Sequence, residues 1–351
     1  MTSRSAPRRK TGSAVVAFLS LLTGASAQAD LASVPDPALP SYAPVPVSLP
    51  TDSPYLTRAG AIRLGGAEHT RFLLERATAL FLQTHPGLTL VDESTGASST
   101  LPLLTYGKLL IGSIGRPVTP LETAAFKRVV GTAPIEIRIA HAANDTSQHL
   151  ATSLAVYVNR DNPLERLTTE QVSQMISVGN AHGDYSRWGQ LGLKGAWAER
   201  LIHPIGTPEY TGFGIWMQSN QLAGRSYSAA YEEYGSTDEI LTRLENEPGG
   251  IAVAAIGRET KHIKQVAVAT RAGGPFVTGT AAQVQADAYP YGRYLYFYLR
   301  RPPGAPIDPV AKEYLRLLLS REGQAMLAAQ PNGYIPLTAA EAAVERAKLN
   351  Q

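Results

Sequence analysis

The stretch LAVYVNRDNPLERLTTEQVSQMI, residues 154–176, contains a complete strand–turn–helix unit. Residues 154–158 are apolar and include strong strand formers, which predicts a β-strand. Asn162-Pro163 is a turn signal. Thr168 and Gln171 have the spacing of a capping box, which predicts a helix that begins here and runs through Ile176. This order of elements is the repeating unit of α/β proteins.

The same alternation extends outward in both directions. Gly65-Gly66, Pro86-Gly87 and Gly249-Gly250 end or separate successive elements. We therefore predict an α/β protein with mainly parallel sheets and helices on both faces. The predicted strands are 62–64, 88–91, 109–111, 135–140, 154–158, 202–205, 251–255 and 294–299. The predicted helices lie at or near 72–81, 98–106, 121–130, 169–176, 215–222, 240–244 and 310–318.

Length and composition set further limits. The chain has 351 residues, enough for two domains, and is 44% hydrophobic and 17% charged, a globular balance. The net charge is +3, and no concentrated basic face follows the N-terminus, so nucleic acid is not an expected partner. The chain has no cysteine, which excludes disulfides, thiolate metal sites and a lipoprotein anchor.

The N-terminal residues 1–27 have the pattern of a signal peptide. Arg8-Arg9-Lys10 is positive, residues 14–22 are apolar, and Ala25-Ser26-Ala27 fits a cleavage site. An uncleaved anchor or a buried helix is the alternative. A membrane helix needs about 18 consecutive apolar residues, and no later stretch approaches that length. We therefore expect the signal peptide to direct export and the mature protein to reside in the periplasm. Residues 28–58 are loop-like and carry recurrent prolines, which favours an extended linker or arm. An unstructured segment is expected there in preference to a functional proline-rich ligand.

No motif predicts an enzyme, a metal site or a cofactor. The seven histidines show no paired zinc spacing, and no Gly-x-Ser-x-Gly elbow is present. Tyrosines alternate along residues 289–298, which favours a packed sheet. A stacking site for a sugar or an aromatic ligand is the alternative interpretation of these tyrosines.

Four short segments place small or hydroxyl residues after a strand and at the start of a helix. In open α/β sheets, ligands bind beyond the carboxyl ends of the strands, and helix N-termini suit anions. An ordinary helix cap is the alternative for each segment taken alone. The segments are Gly65-Gly66-Ala67-Glu68, Gly96-Ala97-Ser98-Ser99-Thr100, Gly112-Ser113-Ile114-Gly115-Arg116 and Thr211-Gly212-Phe213-Gly214.

The order and spacing of these and later segments resemble the periplasmic phosphate-binding proteins of phosphate ABC transporters. No single piece is specific, but the pieces occur in the family's order from about residue 61 to 337. They are Ser98-Ser99; Gly107, Ile111, Gly112, Arg116 and Pro117; residues 154–159 with Asn162-Pro163 and Leu167-Thr168; Trp188; residues 248–252; Tyr289-Pro290, Arg293, Leu295 and Tyr296; and residues 333–337.

The resemblance implies the type 2 periplasmic binding protein fold: two lobes joined by two crossovers that close on a ligand by a hinge. Lobe 1 would comprise residues 59–150 and 267–340, and lobe 2 residues 151–266. Residues 341–351 would form a C-terminal tail. The expected partners are a small anionic ligand and an ABC transporter permease, and the expected state is a monomer.

The implied ligand site departs from the family's pattern. The resemblance implies Ser98, Ser99, Thr211 and Gly212 as ligand-binding residues, with Gly66 and Ala67 at the first turn and Arg116 as the charge. Thr207 replaces the family's arginine, so a charge-assisted bond is lost. Other positions lack the family's hydroxyl or acidic groups: Gly66, Ala67, Glu68, Leu110, Gly115 and Phe213.

Two functions follow from this mixed pattern. The first is capture of phosphate or another small oxyanion between the lobes. The second is an interaction or sensory protein of the envelope that keeps the fold and no longer binds phosphate. A carboxylate at Glu68 would repel phosphate if it faces the cleft, and Arg116 would compensate only if its side chain enters the cleft. The alternative for Arg116 is a structural role, bracing the lobe or pairing with an acid.

Overall fold

The computed structural model describes residues 1–2, 34–49, 52–143, 151–329 and 333–350. The predicted signal peptide, beyond its first two residues, lies outside the described residues. Within the described part of the chain, no helix is long and apolar enough to cross a membrane.

Twelve strands and ten α-helices alternate along these described residues. The strands are β1 Ile62–Gly66, β2 Leu90–Asp92, β3 Ile111–Ile114, β4 Ile135–His141, β5 Leu154–Asn159, β6 Arg166–Thr168, β7 His203–Gly206, β8 Glu232–Glu233, β9 Gly250–Ala255, β10 Ile263–Gln265, β11 Ala267–Ala269 and β12 Tyr294–Leu299. The helices are α1 Arg71–Leu82, α2 Ala97–Thr105, α3 Pro120–Val130, α4 Thr169–Ile176, α5 Gly212–Asn220, α6 Thr237–Glu245, α7 Ala281–Gln285, α8 Pro309–Leu318, α9 Arg321–Ala328 and α10 Ala339–Lys348.

The first lobe is built on a five-stranded sheet of order β2-β1-β3-β12-β4. Strands β2, β1 and β3 are parallel, and β12 runs antiparallel to β3 and β4. Leu73 and Phe81 of α1 pack with Tyr314 of α8 in one core cluster. Leu104 of α2 packs with Phe126 of α3 in another cluster. The sheet therefore has helices on both faces, as the alternation predicted.

The second lobe is built on a five-stranded sheet of order β10-β5-β9-β7-β8. Strands β9, β7 and β8 are parallel, and β5 runs antiparallel to β9 and β10. Its core includes Trp188, Trp216 and Ile240, all buried. The prediction of a two-lobed α/β fold is confirmed. The tyrosines at 289, 291, 296 and 298 are buried, which matches packing and not an open stacking surface.

Two crossovers join the lobes and run side by side. The chain leaves the first sheet after β4 and returns to it at β12. The Ala142 N–H donates to the Arg293 carbonyl over 2.8 Å, and the Leu154 N–H donates to the Tyr291 carbonyl over 3.1 Å. Val268 and Val284 pack in the second core, so the chain returns to the first lobe close to Arg293 and not at residue 267.

The proline-rich arm packs on the first lobe over residues 34–49. Leu39 is fully buried in the first core. The Tyr42 hydroxyl donates to the Glu313 carboxylate over 2.8 Å, and Arg321 donates to the carbonyls of Pro37 and Leu39. Prolines lack the N–H that a sheet needs, so the arm forms no strand and is held by its side chains, by carbonyls and by the N–H groups of Tyr42 and Val45, which donate to Glu322 and Glu313. Residues 34–49 thus contain no helix or strand, and they are packed on the first lobe instead of being unstructured.

The C-terminal residues predicted as a tail are mostly helical. Helix α10 begins at Ala339 and crosses the predicted boundary at residue 341. Glu345 is fully buried and accepts a hydrogen bond of 2.7 Å from Arg138 of β4. His141 Nε2 lies 3.0 Å from a carboxylate oxygen of Glu341, which links the same two elements. These contacts fix α10 to the edge strand of the first sheet.

Candidate functional site

A cavity of about 360 Å³ lies between the two lobes. Its walls follow the carboxyl ends of β1, β2 and β7, where ligands bind in open α/β sheets. The residues that line it are Ala67, Glu68, His69, Gly96, Ala97, Ala151, Thr207, Thr211, Gly212, Phe213, Gly235, Ser236, Thr237 and Arg293. A larger groove of about 810 Å³ is lined by residues such as Arg166 and Lys194, and all its lining residues lie between 163 and 276. Only the smaller cavity of these two is shared between the lobes.

Three nine-residue helices begin at the wall of this interlobe cavity. Helix α2 follows Gly96, whose φ of 116° is a conformation that favours glycine. Helix α5 is capped by Thr211, whose hydroxyl oxygen accepts the Gly214 N–H over 3.0 Å. Helix α6 is capped by Ser236, which accepts the Glu239 N–H. The remaining first-turn N–H groups and the positive dipole ends favour an anion in the cavity.

A pair of stacked tyrosines holds the loop between β7 and α5 against the second lobe. The rings of Tyr227 and Tyr231 lie 4.2 Å apart. The Tyr231 hydroxyl donates to the Thr207 carbonyl and the Tyr227 hydroxyl to the Gly214 carbonyl, each over 3.1 Å. The cavity wall at residues 207–214 is thus fixed from behind by side chains of the lobe core.

Arg293 contributes a buried positive charge to the cavity. Its side chain is 3% exposed, and it donates to the carbonyls of Thr152 and Gly115. Its guanidinium carbon lies 4.6 Å from the centre of the Phe213 ring. Among the described residues no carboxylate pairs with it, and its Nε has no partner. Burial lowers the pKa of Arg293 to about 10, so the group is still charged at neutral pH.

His69 brings a neutral imidazole to the same wall. Its Nε2 is buried and has no hydrogen-bond partner among the described residues. Gly115 lies so close that a Cβ there would be 2.6 Å from this nitrogen. Burial, and then the positive charge of Arg293, lowers the pKa of His69 to about 4. The ring is therefore neutral at pH 7 and can accept or donate one hydrogen bond at Nε2.

Glu68 lies beside His69 and is exposed at the cavity. The cavity thus has a buried cation on one side and an exposed carboxylate on the other. Glu68 thus lines the cleft, which is the position from which its carboxylate was expected to repel phosphate. Its charge opposes an anionic ligand, although solvent weakens this repulsion.

The structure brings together three of the seven residues predicted as ligand-binding. Ala67, Thr211 and Gly212 line the cavity. Gly66 lies behind it, where a Cβ would meet Ser113 at 2.0 Å. Ser98 is exposed in the first turn of α2 and does not line the cavity.

Ser99 and Arg116 are engaged elsewhere. The Ser99 hydroxyl donates to the Gly96 carbonyl over 2.9 Å. Arg116 is 2% exposed and donates two hydrogen bonds, of 2.8 and 2.7 Å, to the carboxylate of Glu122. Arg116 does not line the cavity, and its charge is already neutralised, so it braces the start of α3.

Besides Glu68, five polar cavity residues were not predicted as ligand-binding from the sequence. They are His69, Thr207, Ser236, Thr237 and Arg293. The capping-box pattern at Ser236 predicted the start of α6 but not that this start faces the cavity. Arg293 was part of the family resemblance, but nothing near it in the sequence marked it as unpaired.

Comparisons with known proteins agree with this architecture. A family model described as a PBP superfamily domain matches residues 56–322. This chain belongs to the PBP superfamily. The family resemblance drawn from the sequence is confirmed by this match and by the relatives described next.

Relatives and solved structures of this kind are similar over most of the chain. The phosphate-binding protein PstS of Pseudomonas aeruginosa is 27% identical over 328 residues, covering 93% of this chain and 94% of that protein. An ABC-type phosphate transport receptor from Vibrio cholerae is 18% identical with a TM-score of 0.55, covering 78% of this chain and 99% of that one. PstS from Borrelia burgdorferi is 14% identical with a TM-score of 0.56, covering 79% and 99%.

Proposed function

We propose that this chain is a solute-binding protein that captures phosphate or another small oxyanion between its two lobes. The observation that carries the proposal is Arg293, a buried guanidinium without a carboxylate partner among the described residues, at a cavity that both lobes line. Uncompensated buried charge is costly, and a bound anion would remove that cost. The names of the relatives, phosphate-binding protein and phosphate transport receptor, support phosphate as the first ligand to test.

The proposed site combines one full charge with several neutral donors. Arginine has five N–H donors, and two of the donors of Arg293 are used by the carbonyls of Thr152 and Gly115. The rest, with the first-turn N–H groups of α2, α5 and α6, would surround a tetrahedral anion. Thr211 and Gly212 keep their predicted role, and Arg293 takes the role predicted for Arg116. This function requires no chemistry on the ligand.

The wider role follows from the family. We propose that the protein is exported to the periplasm, where it would deliver its ligand to an ABC transporter permease. Binding at a cleft between two lobes suits this task, because closure of the cleft distinguishes the loaded protein from the empty one.

A second candidate is an interaction or sensory protein of the envelope that does not bind phosphate. The observation that favours it is Glu68, an exposed acidic residue that lines the cavity. A dianion would approach this like charge as it enters the cleft. The two candidates differ in one measurable property, the affinity of the folded protein for phosphate.

Calorimetric titration with inorganic phosphate tests the proposal. We expect binding by the wild type and a loss of at least about 100-fold in affinity for Arg293→Gln, because a charge-assisted contact in a desolvated site is removed. Arg116→Gln is the matched control, since it removes a buried arginine that is paired with Glu122 and lies outside the cavity. Circular dichroism would confirm that each variant is folded.

Two outcomes would contradict the proposal. The first is no heat at millimolar phosphate with folded wild-type protein, which would favour the second candidate. The second is equal affinity for wild type and Arg293→Gln, which would place the ligand elsewhere. A loss of affinity that is as large in Arg116→Gln as in Arg293→Gln would show a general effect on folding.

A further inference from the structure

Phe213 is an aromatic residue of the interlobe cavity that the proposed function has not yet used. It is the second residue of α5, and it is half-buried against the second core while it also lines the cavity. The guanidinium carbon of Arg293 lies 4.6 Å from the centre of its ring. Trp216, one turn further along α5, places a second ring centre 5.8 Å from the same carbon. Both distances are within the about 6 Å over which a ring face attracts a cation.

We propose that Phe213 is a positioning residue for anion capture: its ring face holds the guanidinium of Arg293 in place for the ligand without neutralising it. This inference rests on the proposed function, since it concerns the same arginine and the same cavity. It adds a role for an apolar residue that has no hydrogen bond to offer a ligand.

The burial of Arg293 creates the need for such a partner. A buried guanidinium is costly unless its charge is compensated. A carboxylate would compensate it, but it would also occupy N–H donors and cancel the charge, as Glu122 does for Arg116. An aromatic face attracts the cation through the quadrupole of its ring and brings no negative charge of its own. The ring therefore stabilises the arginine and leaves its charge available to an anion.

Arg293 is held by contacts with both lobes and with a crossover. It donates to the Thr152 carbonyl of the crossover over 2.8 Å and to the Gly115 carbonyl of the first lobe. The ring of Phe213 contacts it from the second lobe. The carbonyls use two of the five N–H donors, and contact with the ring limits rotation of the group. The remaining donors thus keep their direction, which lowers the entropy cost of binding.

The ring of Phe213 is itself held in place by the turn that carries it. The Thr211 hydroxyl oxygen accepts the Gly214 N–H over 3.0 Å, and the Tyr227 hydroxyl donates to the Gly214 carbonyl over 3.1 Å. Gly214 lies so close to the preceding loop that a Cβ there would be 2.2 Å from the Pro208 carbonyl oxygen. The first turn of α5 is therefore closely packed, which gives the ring a defined position beside the guanidinium.

The test measures the affinity for inorganic phosphate, by calorimetric titration, of proteins in which the ring at position 213 is changed. Phe213→Leu keeps an apolar side chain but has no aromatic face, whereas Phe213→Tyr keeps the face. Phe276→Leu is the matched control: the guanidinium carbon of Arg166 lies 5.2 Å from the centre of the Phe276 ring, and this pair lies outside the interlobe cavity. Circular dichroism checks that each variant is folded.

We expect Phe213→Leu to lose about 5- to 30-fold in affinity, which is the range for a desolvated contact between a cation and a ring face. Phe213→Tyr should stay within about twofold of the wild type, and Phe276→Leu should bind as the wild type does. Phenylalanines with one, two and three ring fluorines at position 213 separate electrostatics from packing. Fluorine withdraws electron density from the ring face and changes its shape little, so the affinity should fall with each fluorine added.

The outcomes separate this inference from the proposed function. Equal affinity across the fluorinated series, with phosphate binding intact, would overturn the role of the ring face and leave anion capture by Arg293 standing. Phosphate binding by Phe213→Leu that is as tight as that of the wild type would do the same. No binding by the wild type would overturn both the proposed function and this inference.

Discussion

Two buried arginines of this protein differ in what neutralises them. Arg116 is held by both oxygens of Glu122, six positions further along the chain. Arg293 has only backbone carbonyls and aromatic faces around it in the described residues. A paired guanidinium has little left to offer a ligand, whereas an unpaired one is stabilised by any anion that reaches it. This difference, and not burial itself, marks Arg293 as the functional arginine.

The carboxylate at the cavity provides the first prediction at the residue scale. Glu68→Gln should raise the affinity for phosphate about two- to tenfold, because it removes a like charge that is partly screened by solvent. The measurement is calorimetric titration at low and at high salt, and the gain should shrink at high salt. Glu75→Gln, an exposed change on α1 outside the cavity, should leave the affinity unchanged. Unchanged affinity in Glu68→Gln would show that its charge does not reach the ligand.

The sequence could reveal local pairs but not distant ones. Thr119 and Glu122 have capping-box spacing, and Glu122 is close enough in sequence to Arg116 to suggest that the arginine is paired. Arg293 contacts Thr152, Gly115 and Phe213, which lie 80 or more positions away in the chain. Whether an acid faces a buried arginine depends on such long-range contacts. The sequence therefore left Arg116 as the candidate charge of the site, with a structural role in pairing with an acid as the alternative.

At the scale of elements, the site depends on where three helices begin. The starts of α2 and α5 were predicted as site segments from small and hydroxyl residues after strands, and both lie at the cavity. The start of α6 was predicted from Ser236 and Glu239 as a cap only. Capping residues show that a helix begins, but the order of strands in the sheet decides which helix starts meet. Local sequence patterns do not predict the order of strands in the sheet.

Helix α10 gives a prediction about acid stability. The pKa of Glu341 is lowered to about 2 from 4.5; burial opposes this shift, and the contact with His141 together with hydrogen bonds from Thr338 outweighs burial. A lowered carboxyl pKa contributes stability above the unfolded-state value that is lost as the pH falls toward 2. The free energy of unfolding should therefore drop by about 3 kcal/mol from this group between pH 5 and 2.

Urea unfolding at pH 5, 3 and 2 checks this expectation. Glu341→Gln should be less stable than the wild type at pH 5 and should approach it at pH 2, because glutamine does not titrate. Glu75→Gln is the control, and its pH dependence should equal that of the wild type. Parallel curves for Glu341→Gln and wild type would show that the pair with His141 does not anchor α10.

The arm gives a second prediction at this scale. Leu39→Ala should lower the free energy of unfolding by about 2–4 kcal/mol, because a fully buried side chain leaves a cavity in the first core. Val45→Ala, at an exposed position of the same arm, should cost less than about 0.5 kcal/mol. Denaturant unfolding measures both changes. Equal, small effects would mean that the arm is not part of the folded lobe.

At the scale of the whole molecule, the lobes are connected by paired crossovers and share one cavity. The α/β class followed from the strand and helix signals, and the two lobes followed from the family resemblance. Neither prediction needed knowledge of side-chain pairing. The point of return to the first lobe was harder to place. No strand or helix was predicted between residues 256 and 293, where the structure has the short elements β10, β11 and α7. Only the packing of residues 268–291 assigns them to the second core. Periodicity shows which face of an element is buried, but not which lobe buries it.

A ligand held between the lobes contacts both of them, so its binding should reduce local unfolding in both lobes. Saturating phosphate, at about 100 times its dissociation constant, should stabilise the protein by about 2.7 kcal/mol. Hydrogen exchange should then slow at residues 67–69 and 96–100 of the first lobe and at residues 207–214 and 235–239 of the second, since these segments line or border the cavity. The Arg293→Gln variant should show neither effect at the same phosphate concentration. Protection confined to one lobe would mean that the anion binds one wall only, and the cavity would then not be a site that closes on its ligand.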